Sequence, residues 1–394
     1  MKKESYVSIV NMNAPGVRKG GSASVLGWLD IELTERCNNN CVHCCINLAK
    51  DDLVAKKKEL STQRVKEILK EATNLGCMTV RFTGGEPFLR EDFEELYIFA
   101  RRLGLKVMIF TNATLITPKW IKLFRHIPPR EKMEVTVYGM KKKSYEAVTG
   151  VKGSFAAAFR GISLLLKNKI PFVVKGALLP DNKEEIEEFE TWAEKIPWMD
   201  GRPPSYSMFF DLRCRRDAKS EQIKKIRLSA QEGLRILTRK KKDYIKGMQE
   251  FCSKFMRSSG DNLFSCGSGN CSGCVDAYGF FQPCMMLRHP QTTYDLKKGS
   301  LEDAVTNFFP KVREMKAANK DYLSRCARCF LKGLCEQCPA KSWSEYGTLD
   351  TPSDYLCGIA HAQARFLGLV GENESAWNVE NWKERIDNLS AKKL

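Results

Sequence analysis

"WLDIELTERCNNNCVHCC", residues 28–45, runs from an alternation of apolar and polar side chains directly into four cysteines. Leu29, Ile31 and Leu33 fall on one face and Asp30 and Glu32 on the other, the period of a half-buried β-strand. The loop after it spaces three thiols as Cys37-x3-Cys41-x2-Cys44 and leaves Cys45 over. Structural zinc sites close all four positions, so three ligands leave one position open. Iron–sulfur clusters take thiolates well, and three of them leave one iron free to bind a small molecule. Cys45, adjacent to Cys44, is expected to point elsewhere.

Outward from this stretch the same grammar repeats. "STQRVKEILKEATNLG" (61–76) offers capping hydroxyls, apolar residues at Val65, Ile68, Leu69, Ala72 and Leu75, and a terminal Gly76, which predicts a helix. Strands follow at "MTVRF" (78–82), "KVMIF" (106–110), "EVTVY" (134–138), "FVVKGALL" (172–179) and "SYSMFF" (205–210), with helices at 92–103, about 118–125, about 154–167 and 183–196 between them. Six strands alternating with helices predict parallel pairing through right-handed crossovers, an α/β sheet or partial barrel. Function then belongs at the carboxyl ends of the strands. After a basic helical stretch at 219–250 the region from Cys266 on carries nine cysteines, many glycines and few long apolar runs, a core expected to need metal.

The chain has 394 residues, 43% hydrophobic and 28% charged, with a formal net charge of +17. No signal peptide and no membrane-length apolar run is found, which predicts a cytoplasmic protein and no membrane partner. In reducing cytosol sixteen cysteines read as metal or redox chemistry, with dispersed ones such as Cys77, Cys214 and Cys252 as buried small residues. The basic runs Lys56–Lys58, Lys141–Lys143 and Lys240–Lys242 are short and scattered. The net charge suits an acidic partner, a nucleic acid or an acidic peptide, but runs this short read largely as solvated surface, and nucleic acid is not expected as a partner.

The cysteine spacing after a first strand resembles the signature of the radical S-adenosylmethionine enzymes. That resemblance implies that Cys37, Cys41 and Cys44 hold a 4Fe-4S cluster whose open iron chelates S-adenosylmethionine, which one electron cleaves to a 5′-deoxyadenosyl radical. "TGGEPF" (83–88) ends the second strand, where two glycines allow close approach of backbone to a ligand and Glu86 can accept from an amino group. It matches the family's Gly-Gly-Glu-Pro motif, so Gly84, Gly85, Glu86 and Pro87 are implied to bind the cofactor. His43 stands at the position whose backbone meets adenine in the family. Thr111, Asn112 and Thr136 match polar positions lining the cofactor, although strand-end polar residues also satisfy local backbone. Many relatives carry an arginine where "AVTGVKGSF" has Thr149, so the cofactor carboxylate is expected to be held differently.

In the last third, Cys266, Cys271 and Cys274 are followed by Gly279-x4-Cys284, by Cys326-x2-Cys329-x5-Cys335-x2-Cys338 and by Cys357. Paired Cys-x2-Cys units also build zinc ribbons, and a zinc-holding scaffold for nucleic acid needs only these cysteines and the charge. Behind the first motif, however, the region resembles the SPASM extension, with one x2 where that pattern has x3. It implies two auxiliary 4Fe-4S clusters, three in all. The inner takes Cys266, Cys284, Cys338 and either Cys271 or Cys274; the outer takes Cys326, Cys329, Cys335 and Cys357.

The architecture expected is a partial (β/α)6 TIM-like barrel with a small C-terminal cysteine-rich iron–sulfur domain. Its parts are an extension at 1–24, the radical S-adenosylmethionine unit at 25–235, a helical linker at 236–265 and the SPASM unit at 266–394. SPASM enzymes mostly modify peptides or proteins by crosslinking, epimerisation, oxidation or excision, and an external electron donor is implied. Sulfatase maturases resemble one another in placing an acid directly after the Gly-x4-Cys cysteine, where this chain has Met285. Chemistry on a small-molecule metabolite stays open. Only 27 residues precede the first strand, so no winged-helix leader-binding domain is expected there. An acidic leader would be read by a separate protein or by the chain's own surface. Asp211 with Arg213, Arg215 and Arg216 after the sixth strand could form a substrate clamp or a surface ion pair, and Tyr138 and Lys175 could face the barrel interior.

Overall fold

The computed structural model describes residues 26–44, 46–208, 217–258 and 260–392. Cys45, Cys214, Phe209 and Phe210, the Asp211 group with its arginines, and the 1–24 extension lie outside the described residues. Strand β1 (Trp28–Thr34) leads into the cysteine loop, where β2 (Arg36–Cys37) and β3 (Leu48–Ala49) pair with each other. Beyond it come β4 (Thr79–Gly84), β5 (Lys106–Thr111), β6 (Met133–Val137), β7 (Phe172–Ala177) and β8 (Ser205–Ser207). Starting from β1, each of these joins its predecessor in parallel, so the six strands fall in chain order across a TIM-like sheet.

The crossovers are helices that the sequence specifies locally. After α1 (Leu53–Lys58), α2 (Thr62–Asn74) starts where the Ser61 hydroxyl accepts from Arg64 N. It buries Val65, Ile68, Leu69 and Ala72, the i, i+3, i+4, i+7 stripe, and the chain leaves it through Gly76 at φ +85°. Fully burying Ile68 and Leu69 stabilises by about 2 kcal/mol each. The outer layer continues with α3 (Phe93–Arg102), α4 (Pro118–His126), α5 (Lys142–Thr149), α6 (Ser154–Lys167) and α7 (Ile186–Ala193). The basic stretch forms three helices, α8 (Asp217–Ile226), α9 (Ala230–Leu237) and α10 (Lys241–Phe255). No described helix is long and apolar enough to cross a membrane.

Two expectations need correction. The alternation of β1 predicts one solvated face, yet Asp30, Glu32 and Thr34 are all buried. They face the inside of the barrel, where Arg81 neutralises Asp30 and Arg288 neutralises Glu32. The sheet is also larger than the six strands expected, because it is extended by the cysteine-rich region. Its strand β9 (Ser272–Val275) adds in parallel to the free side of β1, followed by antiparallel β10 (Phe280–Gln282) and β11 (Tyr294–Asp295). The result is a nine-stranded sheet ordered β11-β10-β9-β1-β4-β5-β6-β7-β8. "CSGCV" hides this strand because Gly273 breaks the pattern, and a Cβ there would fall 2.4 Å from the Phe281 ring packed over it. The region holds more apolar core than composition suggests. Cys252, Phe330, Leu331, Ala364 and Leu369 pack α10 against the helices Asp354–Leu367 and Trp382–Ala391.

Candidate functional site

Two loops leave neighbouring strands at their carboxyl ends and lock onto each other. Gly85 N donates to Thr34 O at 2.7 Å and Glu86 N to Arg36 O at 2.9 Å. The glycines permit this close contact between the two backbones. A Cβ on Gly84, at φ +125°, would lie 2.1 Å from Thr34 O, and one on Gly85 would lie 2.2 Å from Arg36 O. Arg36 in turn holds the cysteine loop to Glu59 at 2.8 Å, and Arg90 donates to the carbonyls of Leu33 and Leu60. The cysteine loop and the Gly-Gly-Glu-Pro turn are thus one rigid unit.

Glu86 is fully buried, with Pro87 opening the short turn behind it. Its carboxylate accepts from Thr111 Oγ1 at 2.9 and 3.0 Å, Asn112 N at 2.9 Å and Phe88 N at 3.3 Å. Burial nevertheless outweighs these donors and pushes the carboxyl up to about 7. Among the described residues no cation pairs with it, and an ammonium brought by a ligand would find an unpaired carboxylate here.

The third strand end joins the same site. Asn112 Nδ2 lies 3.7 Å from Cys37 Sγ and donates to Asn38 Oδ1 at 3.1 Å. Cys41 is buried and takes a hydrogen bond from Tyr138, whose ring stands 5.5 Å from that of His43. Burial raises Cys37 strongly, with Glu86 adding to it, and raises Cys41 to about 12. Cys37, Cys41 and Cys44 are close enough for charge on Cys41 and Cys44 to act on Cys37. Cationic iron would offset both effects and expel the thiol protons. Asn39 is buried with both amide atoms unpartnered among the described residues, a second sign of a group the polypeptide leaves room for. Thr136 is half-buried on β6, level with Lys175 on β7. Thr149 is buried and spent on Ser154 at 2.6 Å.

Beside Lys175, which the sequence reading has facing it, the barrel interior holds charges that motif reading passed over. Arg81 lies over Phe110 at 4.4 Å, and Lys175 reaches the same ring at 3.5 Å while bonding Glu134 at 2.7 Å. Arg288 joins Glu32 at 2.7 Å to Asp276 at 3.2 Å, and Arg81 also points to the sulfur of Met285. The signal was legible: Asp30, Arg81, Glu134 and Lys175 are charges at inward positions of strands that should read as apolar.

Among the C-terminal cysteines, Cys326, Cys329, Cys335 and Cys357 line one pocket with Arg325, Lys332 and His361. Burial pushes Cys326 up to about 11 and Cys329 and Cys335 up to about 12. Arg325 reaches Cys357 Sγ at 3.8 Å, a cationic lining suited to thiolates. Elsewhere, half-buried Cys284 feels both Cys338 and Cys266. Cys271 is exposed at the start of β9, whereas Cys274 is fully buried within that strand, opposite Asp30. Among the described residues no three His, Cys, Asp or Glu side chains converge tightly enough to share one metal ion. Thiolates on separate irons of a cluster stand farther apart than that.

Residues 31–193 match the radical SAM superfamily. An AdoMet-dependent heme synthase of Methanosarcina barkeri is 28% identical over 199 residues, 50% of this chain and 54% of that protein. The antilisterial bacteriocin subtilosin biosynthesis protein AlbA of Bacillus subtilis is 24% identical over 323 residues, 77% of this chain and 67% of that protein. The chain thus spans about half the length of the first of these relatives and two thirds of the second. Among solved structures, Streptococcus suis SuiB bound to precursor peptide SuiA superposes with a TM-score of 0.61 at 17% identity, covering 85% of this chain and 76% of that one. At that identity the likeness establishes the fold.

Proposed function

Because residues 31–193 are a radical SAM domain, we propose that the chain generates a 5′-deoxyadenosyl radical and uses it to modify a ribosomally made peptide or a protein. Cys37, Cys41 and Cys44 hold a 4Fe-4S cluster that supplies the electron for cleaving S-adenosylmethionine. Glu86, oriented by Thr111 and by the amide of Asn112, takes the ammonium of the cofactor and becomes fully ionised on doing so. Asn112 and Asn38 screen Cys37, Tyr138 donates to Cys41, and Gly84, Gly85 and Pro87 hold Glu86 against the cysteine loop. His43 and Thr136, by the family motif positions they occupy, would meet the adenosine part of the cofactor. The observation that carries this reading is the buried carboxylate of Glu86, without a cation among the described residues and joined by backbone hydrogen bonds to the three-cysteine loop.

Two auxiliary 4Fe-4S clusters are part of the proposal. The outer is held by Cys326, Cys329, Cys335 and Cys357 around their shared cavity. The inner is held by Cys266, Cys284, Cys338 and, of the two candidates, Cys271, because Cys274 is committed to the interior of β9. The functional units remain 25–235 and 266–394, joined by 236–265. An external donor supplies electrons, and an acidic leader is read by the basic surface or by a separate protein.

A peptide substrate is favoured over a tetrapyrrole because the likeness to AlbA reaches across 77% of the chain, whereas the heme synthase likeness covers 50%. The higher identity of the latter keeps small-molecule chemistry as the second reading. Both are tested by anaerobic reconstitution with iron, sulfide, S-adenosylmethionine and dithionite, followed by mass analysis with candidate peptides and with iron coproporphyrin III. A peptide mass change with 5′-deoxyadenosine release is expected. Turnover of the porphyrin alone would establish the second reading, and absence of 5′-deoxyadenosine would refute both.

A further inference from the structure

Cys357 and His361 stand one turn apart on the helix Asp354–Leu367, and both line the pocket of Cys326, Cys329 and Cys335. The imidazole is buried, and each ring nitrogen has a fixed role. Nε2 accepts from Ala376 N at 3.1 Å, so it carries no proton. The proton of the neutral ring is therefore on Nδ1, which lies 2.9 Å from Cys357 O and 3.5 Å from Cys357 Sγ. It is shared in a three-centre bond, with the shorter leg to the carbonyl and the longer one to the sulfur. Arg325, the neighbour of Cys326, brings Nη2 to within 3.8 Å of the same sulfur.

The charges around this corner are mostly positive. Arg325 and Arg365 act on Cys357, and Lys332 and Arg325 act on Cys326, with Asp354 opposing in both cases. Asp354 accepts from Arg325 at 2.9 Å, but its side chain is 78% exposed, so water screens much of that opposition. Trp377 lines the pocket beside them, 5.0 Å from the Arg325 guanidinium and 5.5 Å from the His361 ring. The three-cysteine loop is set differently. Cys37 has the amide of Asn112 at 3.7 Å and the negative charge of Glu86 beside it, while Lys219 acts on Cys41.

We propose that His361 and Arg325 are positioning residues for the outer cluster: by donating to the sulfur of Cys357 they raise its reduction potential above that of the cluster on Cys37, Cys41 and Cys44. The inference rests on the reading that Cys326, Cys329, Cys335 and Cys357 hold a 4Fe-4S cluster. Reduction adds one negative charge to such a cluster. N–H donors and a guanidinium at a ligand sulfur stabilise the reduced state more than the oxidised one. His361 acts while neutral, and its donor is aimed by the bond from Ala376, a residue outside the cysteine motif. An electron shared between the two sites then rests on the outer one.

The test is an anaerobic redox titration of the full-length reconstituted enzyme, followed by electron paramagnetic resonance. The outer signal is identified by its loss in Cys357→Ala and that of the three-cysteine loop by its loss in Cys37→Ala. Arg325→Met removes charge and donor, and His361→Leu removes the ring. His361→Asn places an amide N–H where Nδ1 stands, and Lys298→Met removes a lysine that is 85% exposed and outside the pocket. In the natural enzyme the outer midpoint is expected above the other. Arg325→Met and His361→Leu should each shift the outer equilibrium toward the oxidised state about tenfold, or about 59 mV for one electron, with iron content unchanged. His361→Asn should recover most of its shift, and Lys298→Met should move nothing. An outer midpoint below the other, no shift in Arg325→Met, or an equal shift in Lys298→Met overturns the proposal. His361→Asn shifting as far as His361→Leu overturns the part of the ring proton. Should His361→Leu fail to take up iron, Arg325→Met decides, at a side chain that is partly exposed. Failure of the ligand reading shows separately, as iron content and signals that Cys357→Ala leaves intact.

Discussion

Glu86→Gln separates the cost of the cofactor pocket from its use. In the metal-free, cofactor-free chain the carboxyl sits at about 7 against an ordinary 4.5, because burial outweighs its donors. The folded state therefore holds the proton more tightly than the unfolded state. Protonation favours folding, and the stability this group permits below 4.5 is lost progressively as pH rises to about 7. At about 1.4 kcal/mol per pH unit the loss comes to about 3 kcal/mol, complete above about 7. The amide of the variant cannot ionise and escapes it. Urea unfolding of the metal-free proteins between pH 5 and 8 reads the effect. The stability difference between variant and natural chain should move by about 3 kcal/mol in favour of the variant as pH rises, and any fixed offset from the changed amide cancels in the slope. The variant should also fail to bind S-adenosylmethionine. A difference independent of pH would refute the claim that Glu86 is a desolvated carboxylate awaiting a cation.

Gly85→Ala should destabilise the chain by about 3 kcal/mol and abolish cofactor binding, since its Cβ would meet the Arg36 carbonyl at 2.2 Å; thermal unfolding and equilibrium dialysis check this. Arg81→Met strands buried Asp30 and should cost about 3–5 kcal/mol, with part regained in Asp30→Asn/Arg81→Met; equal losses in the single and double variants would count against the pair. Cys357→Ala and Cys271→Ala should each lower anaerobic iron content by about four atoms per chain, whereas Cys274→Ala should not. Cys44→Ala should lose the cluster that Cys45→Ala retains. Equal iron loss in either pair would overturn the ligand assignment.

Local chemistry wrote most of the barrel into the sequence. The stripe Val65, Ile68, Leu69, Ala72 has the helical period, Ser61 caps it and Gly76 ends it, so α2 is legible within sixteen residues. The strands are legible by alternation, and the cysteine spacing with Gly-Gly-Glu-Pro marks where the chemistry belongs. These features depend on neighbours along the chain, and residue identity suffices to state them. Tertiary structure decided what depends on neighbours across space. It made the polar face of β1 an interior one, since Arg81 and Arg288 arrive from 51 and 256 residues away. It placed β9 beside β1, a pairing no local pattern encodes, and so committed Cys274 to the sheet while leaving Cys271 in the loop. It also set the backbone of Thr34 and Arg36 directly against the two glycines. A glycine in sequence declares only that something comes close, and what comes close is set by the fold.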